Sequence, residues 1–148
     1  MLLNLLTKEE KHRFMDLLLK VISVDGPTSE TEKKIIDRLK YEMGEDALRY
    51  RSSPTQLEKL IEFFSTKPQT TKNLVFYNLL SASLSDEFYS VEEHIVIAQI
   101  QEGFNISQKK KNELIKAVYL ERDIKEKVKR VISEWEYREQ RKKNLLFI

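Results

Sequence analysis

Six residues are all that this chain offers to interrupt a helix: Gly26, Gly44, Gly103, Pro27, Pro54 and Pro68. Each stands where a helix can begin or end, so the 148-residue chain is expected to form long uninterrupted helices. The apolar residues agree. Phe14, Leu17, Leu18, Val21 and Ile22 keep the i, i+3, i+4, i+7, i+8 spacing of a half-buried helix. Similar stripes run through Ile35, Ile36, Leu39 and Met43, through Leu57, Leu60, Ile61 and Phe64, and through Leu74, Val75, Leu79 and Ala82. Others follow at Val96, Ile97 and Ile100, at Leu114, Ile115 and Val118, and at Ile124, Val128, Val131, Ile132 and Trp135. No alternating strand pattern competes with them. The expected fold class is all-α, a single-domain bundle of about seven helices over residues 1–148.

Local signals place the helix ends. Thr7-Lys8-Glu9-Glu10 reads as a capping box, in which hydroxyl and carboxylate each satisfy a free backbone N–H. The first helix should stop near Asp25-Gly26-Pro27, where Gly permits a left-handed turn and Pro cannot continue the ladder. A second helix is expected from Ser29 to Gly44, and a short one capped by Asp46. Ser53-Pro54 carries the signature of a further start, Thr70 or Thr71 of another, and Ser90 and Ser107 of two more. A last helix is expected from about Asp123.

An internal repeat turns this series into an architecture. A shift of 61 residues superposes Leu18-Leu19 on Leu79-Leu80, Asp25 on Asp86, Ser29 on Ser90, Glu32 on Glu93, and Ile36 on Ile97. Each half reads as helix, short loop, helix, and neither hairpin can bury both its apolar stripes alone. Packing the two about a pseudo-twofold axis is the economical solution.

Composition removes several function classes. There is no Cys, which excludes disulfides, thiolate catalysis and Cys-ligated zinc and fits a cytoplasmic, reducing compartment. The apolar start Met1-Leu2-Leu3-Asn4-Leu5-Leu6 is too short for a secretory core, and no run is long enough to span a bilayer. The net charge of +2 is unevenly spread: residues 107–148 carry +6 and residues 1–106 carry −4. A basic end on an acidic body favours an anionic partner, or is simply a solvated helix face. His12 and His94 stand apart, and there is no Gly-rich phosphate loop and no Ser/His/Asp set. No enzyme activity is expected.

The two loops resemble those of a known family. The first copy runs Leu17-Leu18-Leu19-Lys20-Val21-Ile22-Ser23-Val24-Asp25-Gly26-Pro27-Thr28-Ser29-Glu30-Thr31-Glu32. The second runs from Leu79-Leu80 through Asp86 and Ser90 to Glu93, closed by Gly103-Phe104-Asn105-Ile106-Ser107. An apolar helix ending in an Asp-Gly loop, then a Ser-capped helix with early Glu, given twice, resembles the TerB-like domains. These are known from tellurite resistance and from the N-termini of some membrane-anchored J-domain co-chaperones. The resemblance covers roughly residues 7–120; Glu87 stands where the second loop would carry Gly, and the basic amphipathic segment 121–148 lies outside it. It implies an all-α bundle, a link to stress, phage and metal resistance, an acidic metal site, and no enzyme.

Two sets of candidate residues follow. Asp25, Glu32, Asp86 and Glu93 would meet if the halves pack about a pseudo-twofold, and four carboxylates suit a hard cation such as Ca²⁺ or Mg²⁺. Helix capping accounts for the same residues without any ligand. Neither loop has the spacing of an EF-hand. The second set is Lys129, Trp135, Arg138 and Phe147, on the amphipathic C-terminal segment, as a docking surface for another protein or a peripheral contact with an anionic membrane surface. Glu residues interleave with the Lys residues there, so no clean basic face for nucleic acid emerges. The sequence leaves the oligomeric state open.

Overall fold

Four helix starts are fixed by a hydroxyl. In the computed structural model, which describes residues 2–85 and 89–146, helix α1 (Lys8–Ile22) begins with a complete capping box. The Thr7 N–H donates to Glu10 Oε1 at 2.8 Å and the Glu10 N–H to Thr7 Oγ1 at 3.2 Å. Helix α2 (Glu30–Met43) repeats the device, with Ser29 N to Glu32 Oε1 at 2.9 Å and Glu32 N to Ser29 Oγ at 3.1 Å. Ser90 accepts from the Glu93 N–H at 3.0 Å at the start of α6 (Val91–Gly103), and Ser107 from the Lys110 N–H at 3.0 Å at the start of α7 (Gln108–Leu146). The remaining helices are α3 (Glu45–Leu48), α4 (Leu57–Ser65) and α5 (Gln69–Leu84), with a 3-10 turn at Leu3–Leu5. The fold is all-helical, and no strand occurs among the described residues.

Several boundaries differ from the sequence expectation, each for a physical reason. Asp46 lies inside α3, which Gly44 caps at φ 84°, and its carboxylate instead meets Lys11 Nζ at 3.3 Å. Helix α4 starts at Leu57, not after Ser53-Pro54, because the preceding segment is tied back to α1 through Tyr50 and Ser52. Helix α5 starts at Gln69, directly after Pro68. The helices expected from Ser107 and from Asp123 are one, since nothing from Gln108 onward breaks the ladder.

Helix α6 ends on a Schellman turn. Ile106 N–H donates to Gln101 O at 3.0 Å, Asn105 N–H donates to Glu102 O at 3.1 Å, and Asn105 takes φ 54°. The left-handed position therefore falls to Asn105, and Gly103 serves another purpose. A Cβ on Gly103 would lie 2.1 Å from Cγ2 of Ile61, so its bare Cα is what lets α6 approach α4.

The chain divides into two units, Met1–Ile115 and Lys116–Ile148. In the first, α1 is the central element. It packs on α3, α4, α5 and α6, while α4, α5 and α6 pack on one another. Phe14, Leu17, Leu18 and Val21 of α1, Leu60 and Phe64 of α4, Val75, Phe76 and Leu79 of α5, and Ile97 and Ile100 of α6 are wholly buried. Phe64 and Phe104 meet with ring centroids 5.7 Å apart. The principal neighbours of α2 are α3 and the 3-10 turn. The second hairpin, α5–α6, thus finds its main partner in α1, which buries more than one face of that helix. The second unit, as described, is the continuation of α7.

Candidate functional site

Asp16 sits one residue before the buried Leu17 and is itself buried, so its carboxylate needs partners inside the fold. It finds them 34 and 36 residues away. The Tyr50 hydroxyl lies 2.9 Å from Oδ1 and 2.8 Å from Oδ2, the Ser52 hydroxyl donates to Oδ1, and the Arg13 guanidinium lies 3.9 Å from Oδ2. Burial, then the Asp16 carboxylate, raises the Tyr50 phenol above its ordinary pKa of 10.0, so the hydroxyl stays a donor.

The other side of Tyr50 faces an open cleft. The His12 ring stacks on it, centroids 4.0 Å apart and planes 6° from parallel. His12 Nε2–H donates to the Asp46 carbonyl at 2.6 Å. Lys8, Arg49 and Arg51 line the cleft, of about 450 Å³, together with Glu45 and Asp46. The arrangement contains a His, a Tyr, a Ser and an Asp, and each has its hydrogen-bond partner within the protein. His12 Nε2 is engaged by a carbonyl, and both hydroxyls donate to the same carboxylate. Chemically this is a clasp that joins α1 to the α3–α4 connection. The one sequence signal for it was a carboxylate set between Met15 and Leu17 on the buried face of α1.

The four loop carboxylates are placed as follows. Asp25 is exposed in the turn after α1, where Gly26 takes φ 137°. The Glu32 carboxylate is turned back on the Ser29 N–H, and Glu93 is buried at the start of α6. Asp86 lies outside the described residues. Among the described residues no three His, Asp or Glu side chains gather in a group that would hold a metal ion.

Beside Glu93, Tyr89 packs edge-on against His94, its hydroxyl 3.4 Å from Nδ1. Burial first, and the Glu93 carboxylate second, push the Tyr89 phenol from 10.0 up to about 12. A raised phenol pKa means the folded state holds its proton where the unfolded state has lost it. Stability from this group is full below pH 10.0 and is lost as pH rises towards about 12. Thermal melts of Tyr89→Phe are therefore expected to fall less steeply than those of the native protein across that alkaline window. Parallel curves would show that Tyr89 makes no such contribution.

Of the C-terminal candidates, Lys129 is exposed and pairs with Glu126 at 3.5 Å along the helix. Trp135 and Arg138 continue α7, with side chains outside the described part, and Phe147 lies outside the described residues. The apolar residues between them are exposed. Leu120, Ile124, Val128, Val131 and Ile132 keep 49–61% of their surface open. Large apolar side chains left open in a row mark an interaction surface more often than chance exposure does. No helix among the described residues is long and apolar enough to cross a membrane. Comparison of the chain with family models, with curated proteins and with solved structures gives no match in any of the three.

Proposed function

We propose that this chain is a non-catalytic protein-interaction module of the TerB-like type, acting in a stress-response or envelope-associated system. The observation that carries the interaction reading is the row of open apolar residues Leu120, Ile124, Val128, Val131 and Ile132 on α7. Residues on a solvated helix cost free energy when exposed, at about 25 cal/mol per Å² of apolar surface, and a docked partner recovers it. The clasp around Asp16 supports the non-catalytic part, because its hydroxyls and imidazole are held by hydrogen bonds to protein acceptors. The TerB-like assignment rests on the doubled Asp-x-x-x-Ser-x-x-Glu pattern, whose Ser positions cap α2 and α6 and whose Glu32 completes the capping box of α2.

The test is affinity capture with the full chain and with Val128→Asp, an exposed position. A protein retained by the native chain and lost from the variant, at equal helix content and equal melting temperature, is the expected result. Identical captures from the two would refute the assignment of this face.

A further inference from the structure

The cleft beside the Asp16 clasp carries charge that the fold itself does not use. Lys8, Arg49 and Arg51 reach it from α1 and from the α3–α4 connection, and all three are exposed. Among the described residues none of the three makes an ion pair. Of the two carboxylates in the wall, Asp46 is taken up by Lys11 at 3.3 Å, which leaves Glu45 alone against three cations. Lys8 stands moreover in the first turn of α1, where the helix dipole disfavours positive charge. Like charges gathered around a concave surface raise its potential and draw in an anion.

The wall of the cleft is held in shape. Tyr50, between the two arginines in sequence, is fixed by its hydroxyl on Asp16, and the His12 ring stacked on it is fixed by Nε2 on the Asp46 carbonyl. The cations stand around this firm wall on long side chains. A guanidinium presents paired N–H donors that match the oxygen edge of a phosphate, and a phosphomonoester carries a charge of about −1.5 to −2 at pH 7. A single carboxylate would leave more of the positive charge unmet. The volume, about 450 Å³, is that of a small-molecule site and exceeds what a bare phosphate ion fills. We infer that this cleft binds a small phosphomonoester whose body, of nucleoside size, lies against the His12–Tyr50 wall. Such a site requires nothing of the α7 face and leaves the interaction module as it stands.

His12 and His94 are the two histidines of the chain, one in the cleft and one on α6, so proton NMR of the full chain has a probe and a control built in. Adenosine 5′-monophosphate, added at fixed pH and ionic strength, is expected to move the His12 ring signals along a saturating curve and to leave those of His94 in place. Adenosine, which lacks the phosphate, and inorganic phosphate, which lacks the body, should each bind more weakly. Arg49→Ala and Arg51→Ala, both at exposed positions, should each weaken binding on the order of tenfold, the loss of one charge-assisted contact, with helix content and melting temperature unchanged. Signals of the two histidines that move together, or without saturation, would reduce the effect to ionic screening and overturn the inference. So would adenosine binding as tightly as its monophosphate, or an Arg49→Ala, Arg51→Ala double variant that binds like the native chain. Inorganic phosphate binding as tightly as the nucleotide would overturn the contact with the ring wall.

Discussion

Asp16→Ala is expected to destabilise the protein by about 3 kcal/mol, because it removes one acceptor and leaves several donors unmatched. The native carboxylate, its side chain 1% exposed, takes the hydroxyls of Tyr50 and Ser52 and the more open guanidinium of Arg13. Alanine leaves the Tyr50 hydroxyl facing the place the carboxylate vacated. The loss should appear as a melting temperature lower by roughly 6–12 °C and an earlier urea midpoint. Asp16→Asn, which keeps an acceptor oxygen, is expected to lose less. Tyr50→Phe should also lose less, and combining it with Asp16→Ala should cost less than the two changes separately, since both break one hydrogen bond. A loss for Asp16→Ala below about 0.5 kcal/mol, the range of ordinary surface substitutions, would show that the clasp does not hold the α3–α4 connection.

Gly103→Ala is expected to destabilise by about 2 kcal/mol. At the end of an exposed helix the change would be mildly favourable, by about 0.5–1 kcal/mol, because glycine loses more entropy on folding. Here the added Cβ would sit 2.1 Å from Ile61 Cγ2 and 3.5 Å from Ile61 Cβ. Isoleucine is branched at Cβ and stiff about χ1, so it cannot swing that methyl away as a long flexible side chain would. Either α4 shifts outward or Ile61 takes an eclipsed rotamer, and both disturb Leu60 and Phe64 beside it. Ile61→Ala supplies the partner variant. Alone it should also destabilise, by leaving a void, but together with Gly103→Ala the losses should fall short of additive by about 1–2 kcal/mol. Strict additivity would mean that α4 and α6 have slack between them.

The same two places show what was legible in the sequence. Features with local causes were readable: the Thr7 and Ser29 capping boxes, the hydroxyl caps at Ser90 and Ser107, and the stop at Gly44 all satisfy backbone groups within a few residues of themselves. Gly103 was readable as a helix end, but its packing role was not, because Ile61 is far away in the chain. The Ser53-Pro54 start misled for a related reason. A good local signal lost to side-chain bonds from Tyr50 and Ser52 to Asp16, which hold the segment before α4 in another course. The separate helix expected from about Asp123 is part of α7, because no Gly or Pro follows Gln108 and a helix needs a residue that opposes it in order to stop. The carboxylates Glu32 and Glu93 illustrate the limit for function. Their spacing was evident in the sequence, but the same spacing serves capping, and Glu32 is engaged by Ser29.

The central place of α1 has a consequence for the order of synthesis. Its partners α5 and α6 lie at Gln69–Leu84 and Val91–Gly103, so they are made long after Lys8–Ile22. At about 5–20 residues per second, α1 waits roughly 4–16 s before residue 103 is added. Through that interval Phe14, Leu17, Leu18 and Val21 have only the earlier helices to cover them. The nascent chain thus presents a sticky amphipathic helix to the ribosome exit and to any chaperone there, and closes over it only when the second hairpin arrives.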